Sequence, residues 1–376
     1  MKAARLRLLG LGAALALAAC SDAGAPVTSS SAGAGTGGAA GLASAGASAP
    51  GTAGATSGRG GTAGVAGSAS SSASGVSGAS GGTGGSAGSG GGSGDGGSAG
   101  NGGAAPDPGP VKHHVMAIEY PGRLVEISTE GQKLWEHQTP SLTVMFNVLP
   151  NGHIFYPHGG NARGAEEIDR DHHVVWSYDS AAQELLGGER LPNGNSLLGE
   201  GGPPKALELD AAKSPVRSID VTTTEQVAHG QIRHVHRLAS GNVLLALESE
   251  GVAREIDASG KTIWQFAGVT RIHEALRLAN GNTLIGGGES KRVLEVTPAG
   301  EIAWEFNDKD APDLGLAFIT SVQPLKNGDL LVGNWVGGNG GPGVHAFQVT
   351  RDKRVVWTLD DHQLLKSATT VTALDD

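Results

Sequence analysis

A chain built from copies of one short unit has to stack those copies, so an internal repeat constrains its fold more than any other feature. Here the first half of the unit reads LPNGH from Leu149, LPNGN from Leu191, LASGN from Leu238, LANGN from Leu278 and LKNGD from Leu325. The second half, of the type LEVTPAGEIAW, ends at Trp135, Trp176, Trp264, Trp304 and Trp357. A sixth second half, LELDAAKSPVR, carries Arg217 where the others carry tryptophan. Six second halves against five first halves leave one half unaccounted for. It lies at the far end of the chain, where SATTVTALDD from Ser367 aligns with FITSVQPLKNG from Phe318. The strand that should follow it is HVMAIEY, at the other edge of the repeat region. The two ends are therefore expected to share one unit, which closes a ring and removes the open edges a sheet would otherwise expose.

Each unit reads as four short antiparallel strands. The first runs into the NG turn, whose residues tolerate the positive φ of tight hairpins. The second leaves it as an apolar run such as NTLIGG, a Gly-rich loop leads to a third (VLEVT), and another turn leads to a fourth (EIAWEF). Helical periodicity is nearly absent. The turn positions 151, 193, 240, 280 and 327 are separated by 42, 47, 40 and 47 residues. Those intervals suit four strands per unit, with two insertions, TTTEQVAHGQ from Thr222 and NDKDAPDLGLAF from Asn307. The expected fold is all-β, a six-bladed β-propeller over residues 111–376.

What precedes the repeats is of another kind. Residues 1–19 have a basic start (Lys2, Arg5, Arg7) and an apolar stretch too short to cross a bilayer, which reads as a secretion signal. The ending LAAC resembles the bacterial lipobox and makes Cys20, the only cysteine, the expected lipidation site. Lipid chains there would hold the protein to a membrane, outside the cytoplasm, with the outer membrane or cell surface favoured. Residues 20–110 are nearly all Gly, Ser, Ala and Thr without an aromatic, too polar and small to bury a core, and are expected to be a disordered tether. As a coil, roughly 90 residues reach on the order of 50 Å. The signal carries +3 and the tether −2, so the repeat region holds −11 of the net −10. An acidic body without a basic run argues against nucleic acid as partner. A small molecule, a glycan or an envelope protein remains, and the chain is expected to be a monomer.

The unit LANGNTLIGG…RVLEVTPAGEIAWEF resembles the repeat of bacterial propellers grouped as PQQ-like, most closely their arylsulfotransferase-like branch, over about residues 111–376. The segments Gly131–Trp135, Gly260–Trp264 and Gly300–Trp304 are similar to the tryptophan-docking motif of that superfamily, which implies indoles packed between neighbouring blades. The resemblance also implies a nucleophilic histidine that accepts a sulfuryl group beside cationic and amide donors. His273 fits the nucleophile, with Arg233, Arg271 and His234 in support. No cofactor is expected, since the chain has no adjacent cysteine pair of the quinoprotein kind.

In a propeller the first strands line the central channel, and one face gathers the long loops, where function is usually carried. The channel strands place Arg233, His234, His236, His273, Glu274, Asn147, Ser321 and Gln323 together, and the loops add His158, Asn334 and Trp335. Asn147, His158, His236, Gln323, Asn334 and Trp335 are the candidate ligand contacts, Trp335 because it breaks the repeat beside a run of glycines and can stack on a ring. No histidine pair has the spacing of a known zinc site, and Asp308, Asp310 and Asp313 lack the pattern of a calcium loop, so no metal is expected. Glu126, Glu167, Glu208, Glu255 and Glu295 recur at one position of the repeat, which marks them as structural groups that bond a neighbouring blade. Three functions stay open: a binding or interaction module with its ligand face at the loop side of the channel, a sulfuryl transferase using a channel-mouth histidine, and an assembly-type scaffold lipoprotein.

Overall fold

The computed structural model describes residues 111–376, so the signal, Cys20 and the tether lie outside the described residues. Those residues form six four-stranded antiparallel sheets. Blades II to VI occupy 147–179, 184–220, 234–267, 274–307 and 319–359 in chain order. Blade I is shared between the two ends of the repeat region. Its innermost strand is Ala368–Ala373, followed outward by Val115–Glu119, Arg123–Ile127 and Lys133–Gln138. The shared register sets Val115 against Ala373 and Ala117 against Val371, and the Leu374 amide continues it by donating to the His114 carbonyl at 2.7 Å. The closure expected from the mismatch of half-repeats is present.

Burial follows from blade stacking. A second strand such as Val243–Leu247 is buried at all five positions because neighbouring blades cover both its faces, whereas the fourth strand Thr262–Ala267 alternates at the rim. One apolar cluster fills each of the six interfaces between blades. The interface between blades VI and I is built like the rest, from Leu325 and Leu331 against Val115, Val125 and Val371. Short 3-10 turns at Ala228–Gly230 and Pro312–Leu314 sit in the two insertions. Among the described residues no helix is long and apolar enough to cross a membrane.

The NG turns have one construction. The Gly152 amide donates to the Leu149 carbonyl at 2.8 Å, and the Leu149 amide to the His153 carbonyl at 2.8 Å. Only the glycine takes a positive φ, +83° at Gly152 and +90° at Gly328, so these are type I turns closed by a glycine bulge and not paired positive-φ turns. Asparagine is there for a different reason: the Asn151 Oδ1 accepts the His153 amide at 3.0 Å, and Asn193, Asn280 and Asn327 repeat the bond.

The recurrent glutamates clasp the next blade. Glu167 accepts from Arg190 of blade III at 2.5 Å, Glu255 from Arg277 of blade V at 2.8 Å, and Glu295 from Arg351 of blade VI at 2.5 Å. Glu126 pairs with Arg170 and Glu208 with Arg237 in the same way. Trp135, Trp176, Trp264 and Trp304 lie across from these glutamates and cover the same guanidiniums, as with Arg190 at 4.3 Å from the Trp176 ring centre and Arg277 at 4.9 Å from that of Trp264, whereas Trp357 faces Gln348 and packs on His113. The indoles of Trp135 and Trp304 dock on the Arg170 and Arg351 carbonyls at 3.0 and 2.8 Å.

In blade III the Glu208–Arg237 pair keeps this clasp, but Arg217 stands where the covering indole would be. It faces Glu208 across the strands, and a cavity of about 560 Å³ opens there between blades III and IV, lined by Arg217, Arg237, Glu208 and Glu189. Arg217→Trp is expected to restore the stacked guanidinium and raise the thermal midpoint by about 2–4 °C, the equivalent of ~1 kcal/mol. A lower midpoint in scanning calorimetry would mean that Arg217 contributes something the indole cannot replace.

Candidate functional site

Counted back from the turn leucines Leu238 and Leu278, Arg233 and His273 occupy the same repeat position, one residue before the inner strands of blades IV and V. Both are buried. Between them lies Glu248, at the end of the second strand of blade IV and only 1 % exposed. The Arg233 Nε donates to Glu248 Oε2 at 2.6 Å and a terminal guanidinium nitrogen reaches the same oxygen, while Arg271 donates to Oε1 from Nε at 3.1 Å and Nη2 at 2.6 Å. One carboxylate thus holds two guanidiniums. Burial alone would raise its pKa; the charges of Arg233 and Arg271 outweigh that and hold Glu248 at about 2. Arg271 sits at φ +55° and passes so close to Gly288 that a Cβ there would lie 1.7 Å from the Arg271 carbonyl oxygen, which requires glycine. The same terminal Arg233 nitrogen, Nη2, also lies 3.2 Å from His229 Nε2, and His229 Nδ1 lies 2.9 Å from Glu184.

The His273 Nδ1 lies 2.8 Å from the Thr320 carbonyl, which can only accept, so Nδ1 carries the proton. Burial, then the charge of Arg233, lowers the pKa of this imidazole to about 3. The neutral ring therefore keeps a lone pair on Nε2, which no hydrogen bond engages among the described residues. The ring stands edge-on to Phe318 at 5.7 Å, Phe318 stands edge-on to Trp335 at 5.9 Å, and Arg271 lies 5.3 Å from the Phe318 ring centre. The loop end of the channel is thus a buried cationic cluster beside an aromatic wall.

Further along the channel a second cluster forms. The His234 ring meets the Glu274 carboxylate, His236 Nε2 lies 3.3 Å from the same carboxylate oxygen, and His236 Nδ1 lies 2.9 Å from Glu189. Burial opposes a charge on His236, but the two carboxylates outweigh it and lift its pKa to about 10. Glu274 is pulled to about 2 against the same burial, first by the charge of His234. These groups, with Asn147, Ser321, Gln323, Thr370 and Thr372, line a cavity of about 170 Å³.

The expected site residues divide accordingly. His273, Arg233 and Arg271 come together, but His234 does not join them, because one step along the strand turns it to Glu274. His236, Asn147 and Gln323 line the channel, where Gln323 bonds the Ala373 backbone of blade I at 2.8 Å and Asn147 leaves its buried Oδ1 without a partner. His158 is buried, with Nδ1 2.7 Å from the Ala162 carbonyl of its own loop. Asn334 is not an open ligand contact. It is fully buried, its Oδ1 accepts the Ala317 and Phe318 amides at 2.8 and 3.2 Å, and its Nδ2 donates to the Val344 carbonyl at 2.8 Å. Trp335 is half-buried between Phe318 and Tyr120, with its indole N–H buried, so only part of the ring is left for a ligand. Glu248, Glu184, Glu189 and His229 escaped the reading of the sequence. The signal for Glu248 was present in the acidic turn ESEG, which follows the second strand of blade IV.

No family model and no curated protein sequence matches the chain. Among solved structures it is similar to a protein of unknown function from Bacteroides caccae, with 22 % identity, a TM-score of 0.64, and coverage of 71 % of this chain and 100 % of that one. It is also similar to a catalytically inactive virginiamycin B lyase from Staphylococcus aureus with quinupristin, at 12 % identity, a TM-score of 0.47, and coverage of 68 % and 86 %. At 12 % identity and a TM-score of 0.46 it matches the WD40 β-propeller domain of Doa1, over 66 % of this chain and 75 % of that one. At such identities the likeness concerns the fold: the chain is an all-β, six-bladed propeller.

Proposed function

We propose that this is an extracytoplasmic lipoprotein, anchored through Cys20, whose propeller binds a small ring-bearing anion at the loop end of the channel. The convergence of Arg233 and Arg271 on one carboxylate carries the reading: two guanidiniums share Glu248, the second carboxylate, Glu184, stands behind His229 on the Arg233 side, and Arg271 is left as the open cation beside Phe318 and Trp335. Arg271, with 39 % of its side chain exposed, is the group that can turn to an incoming sulfate, carboxylate or phosphate. Titration calorimetry with 4-nitrophenyl sulfate, 4-nitrobenzoate and glucuronate tests it. At least one is expected to bind, and Arg271→Gln to weaken it about tenfold or more, the size of one charge-assisted contact. Affinity unchanged in that variant, or no binding by any of the three, removes the reading. For the anchor, labelled lipid is expected on the wild-type chain and none on Cys20→Ser.

His273 supports a second reading, a sulfuryl transferase akin to the arylsulfotransferase-like branch. A neutral imidazole with Nδ1–H held by a carbonyl presents Nε2 to an electrophile at ordinary pH. Nε2 would form a bond to sulfur as the sulfur–oxygen ester bond breaks and a phenolate leaves; an acceptor phenolate would then take the sulfuryl group. Release of 4-nitrophenolate from its sulfate with a phenol acceptor, lost in His273→Ala while binding persists, favours this reading. Binding without turnover leaves the module.

A further inference from the structure

We infer that His234, His236 and Glu274 form a site for a divalent transition-metal ion, zinc above all, in the propeller channel. The inference stands apart from the loop-end ligand site and does not need it. His234 and His236 are two apart on one strand, so both imidazoles face the channel, with ring centres 4.2 Å apart and planes at 84°. Glu274 enters from the adjoining strand of blade V, and one donor atom from each of the three lies within 4.8 Å of the others. Bonds of about 2.0–2.1 Å in a tetrahedron would set donor atoms roughly 3.4 Å apart, which small rotations of these side chains reach.

Three further observations point to a metal and not to an ordinary ion pair. First, the His234 Nδ1 is buried directly against the Glu274 carboxylate in an ion pair whose alignment is poor for a hydrogen bond. Second, His236 has the outer partner that metal-bound histidines keep: Nδ1 faces Glu189 at 2.9 Å, which leaves Nε2 toward Glu274. Glu189 is itself fixed by the Arg237 amide at 2.6 Å. Third, once an ion has displaced the imidazole protons, two carboxylates and two neutral imidazoles balance a divalent cation. Two nitrogens and one oxygen suit zinc; calcium and magnesium prefer oxygen alone. The remaining coordination position would open on the cavity lined by Ser321, Thr370 and Asn147, whose buried Oδ1 lacks a partner.

The test uses the full chain, dialysed against a chelator and titrated with zinc by calorimetry, with elemental analysis of the product. One ion per chain is expected, bound at micromolar concentration or tighter. His234→Asn, His236→Asn and Glu274→Gln should each weaken it at least 100-fold, and Glu189→Gln about tenfold. His173→Asn, at the exposed Asp169–Asp171–His173 group on the rim, should leave it unchanged. No bound zinc, or zinc retained by both histidine variants, or zinc lost with His173→Asn, overturns the inference. Should the channel variants fail to fold, the unaltered chain loaded with cobalt decides: intense visible bands of a four- or five-coordinate ion are expected, and the weak spectrum of the hydrated ion would contradict it.

Discussion

Removing residues 368–376 is expected to abolish the cooperative thermal transition of the propeller, or to lower its midpoint by more than about 10 °C, with most of the chain insoluble. The deletion takes away the inner strand of blade I and leaves Val115–Glu119 as an unpaired edge in the middle of the molecule. It also strips Ala368, Val371 and Ala373 from the cluster that seals blades VI and I, uncovering Leu325 and Leu331. No other blade can take over, because each already has its own inner strand. Joining the same segment ahead of Val111 through a Gly-Ser linker should restore the transition, since pairing and not chain order is what closes the ring. A truncated chain melting within a degree or two of the full one would contradict this, and calorimetry or circular dichroism reads it directly.

Glu248→Ala is expected to be the most damaging single substitution at the loop end, by about 3–5 kcal/mol. It leaves the Arg233 guanidinium, only 4 % exposed, without its carboxylate, and a buried unpaired charge costs more than the pair contributes. The same pair shapes the response to acid. Glu248 moves from its ordinary 4.5 to about 2 on folding, so its contribution is complete above about 4.5 and is lost as pH falls through about 2. By linkage that contribution is on the order of 3 kcal/mol. His236 works in the opposite direction. In the metal-free chain, raised from 6.5 to about 10, it stabilises fully below 6.5, and that stabilisation is lost as pH rises through about 10. Denaturant midpoints should therefore fall at both ends of the scale. Glu248→Gln should flatten the acid limb and His236→Asn the alkaline one; an acid limb unchanged in Glu248→Gln would mean that other carboxylates set it.

Much of the ring was legible in the sequence because periodicity is a global property that single residues cannot hide. The unmatched half-repeats gave the closure, and the repeated glutamates gave the clasps between blades. The site was legible only as a set of residues. Arg233, His234, His236, His273 and Glu274 stand out because they depart from the repeat, yet their partners depend on which blades are neighbours and how far each strand is advanced. One residue of advance sends His234 to Glu274 and leaves Arg233 to Glu248. Asn334 and Trp335 misled because a Gly-rich loop reads as exposed. The insertion before blade VI folds back over it, so that the Ala317 and Phe318 amides consume the Asn334 oxygen and Phe318 packs on the indole. Asparagine in the NG turns misled for a related reason, since its side chain bonds the amide two residues on and its backbone has no need of positive φ.

Native-state hydrogen exchange of the terminal segment bears most directly on all of this. The amides of residues 368–373 and 115–119 are expected to exchange only through global unfolding, as slowly as those of Val243–Leu247 in blade IV. Exchange of the 368–373 amides within seconds, like a frayed end, would mean that the ring is open.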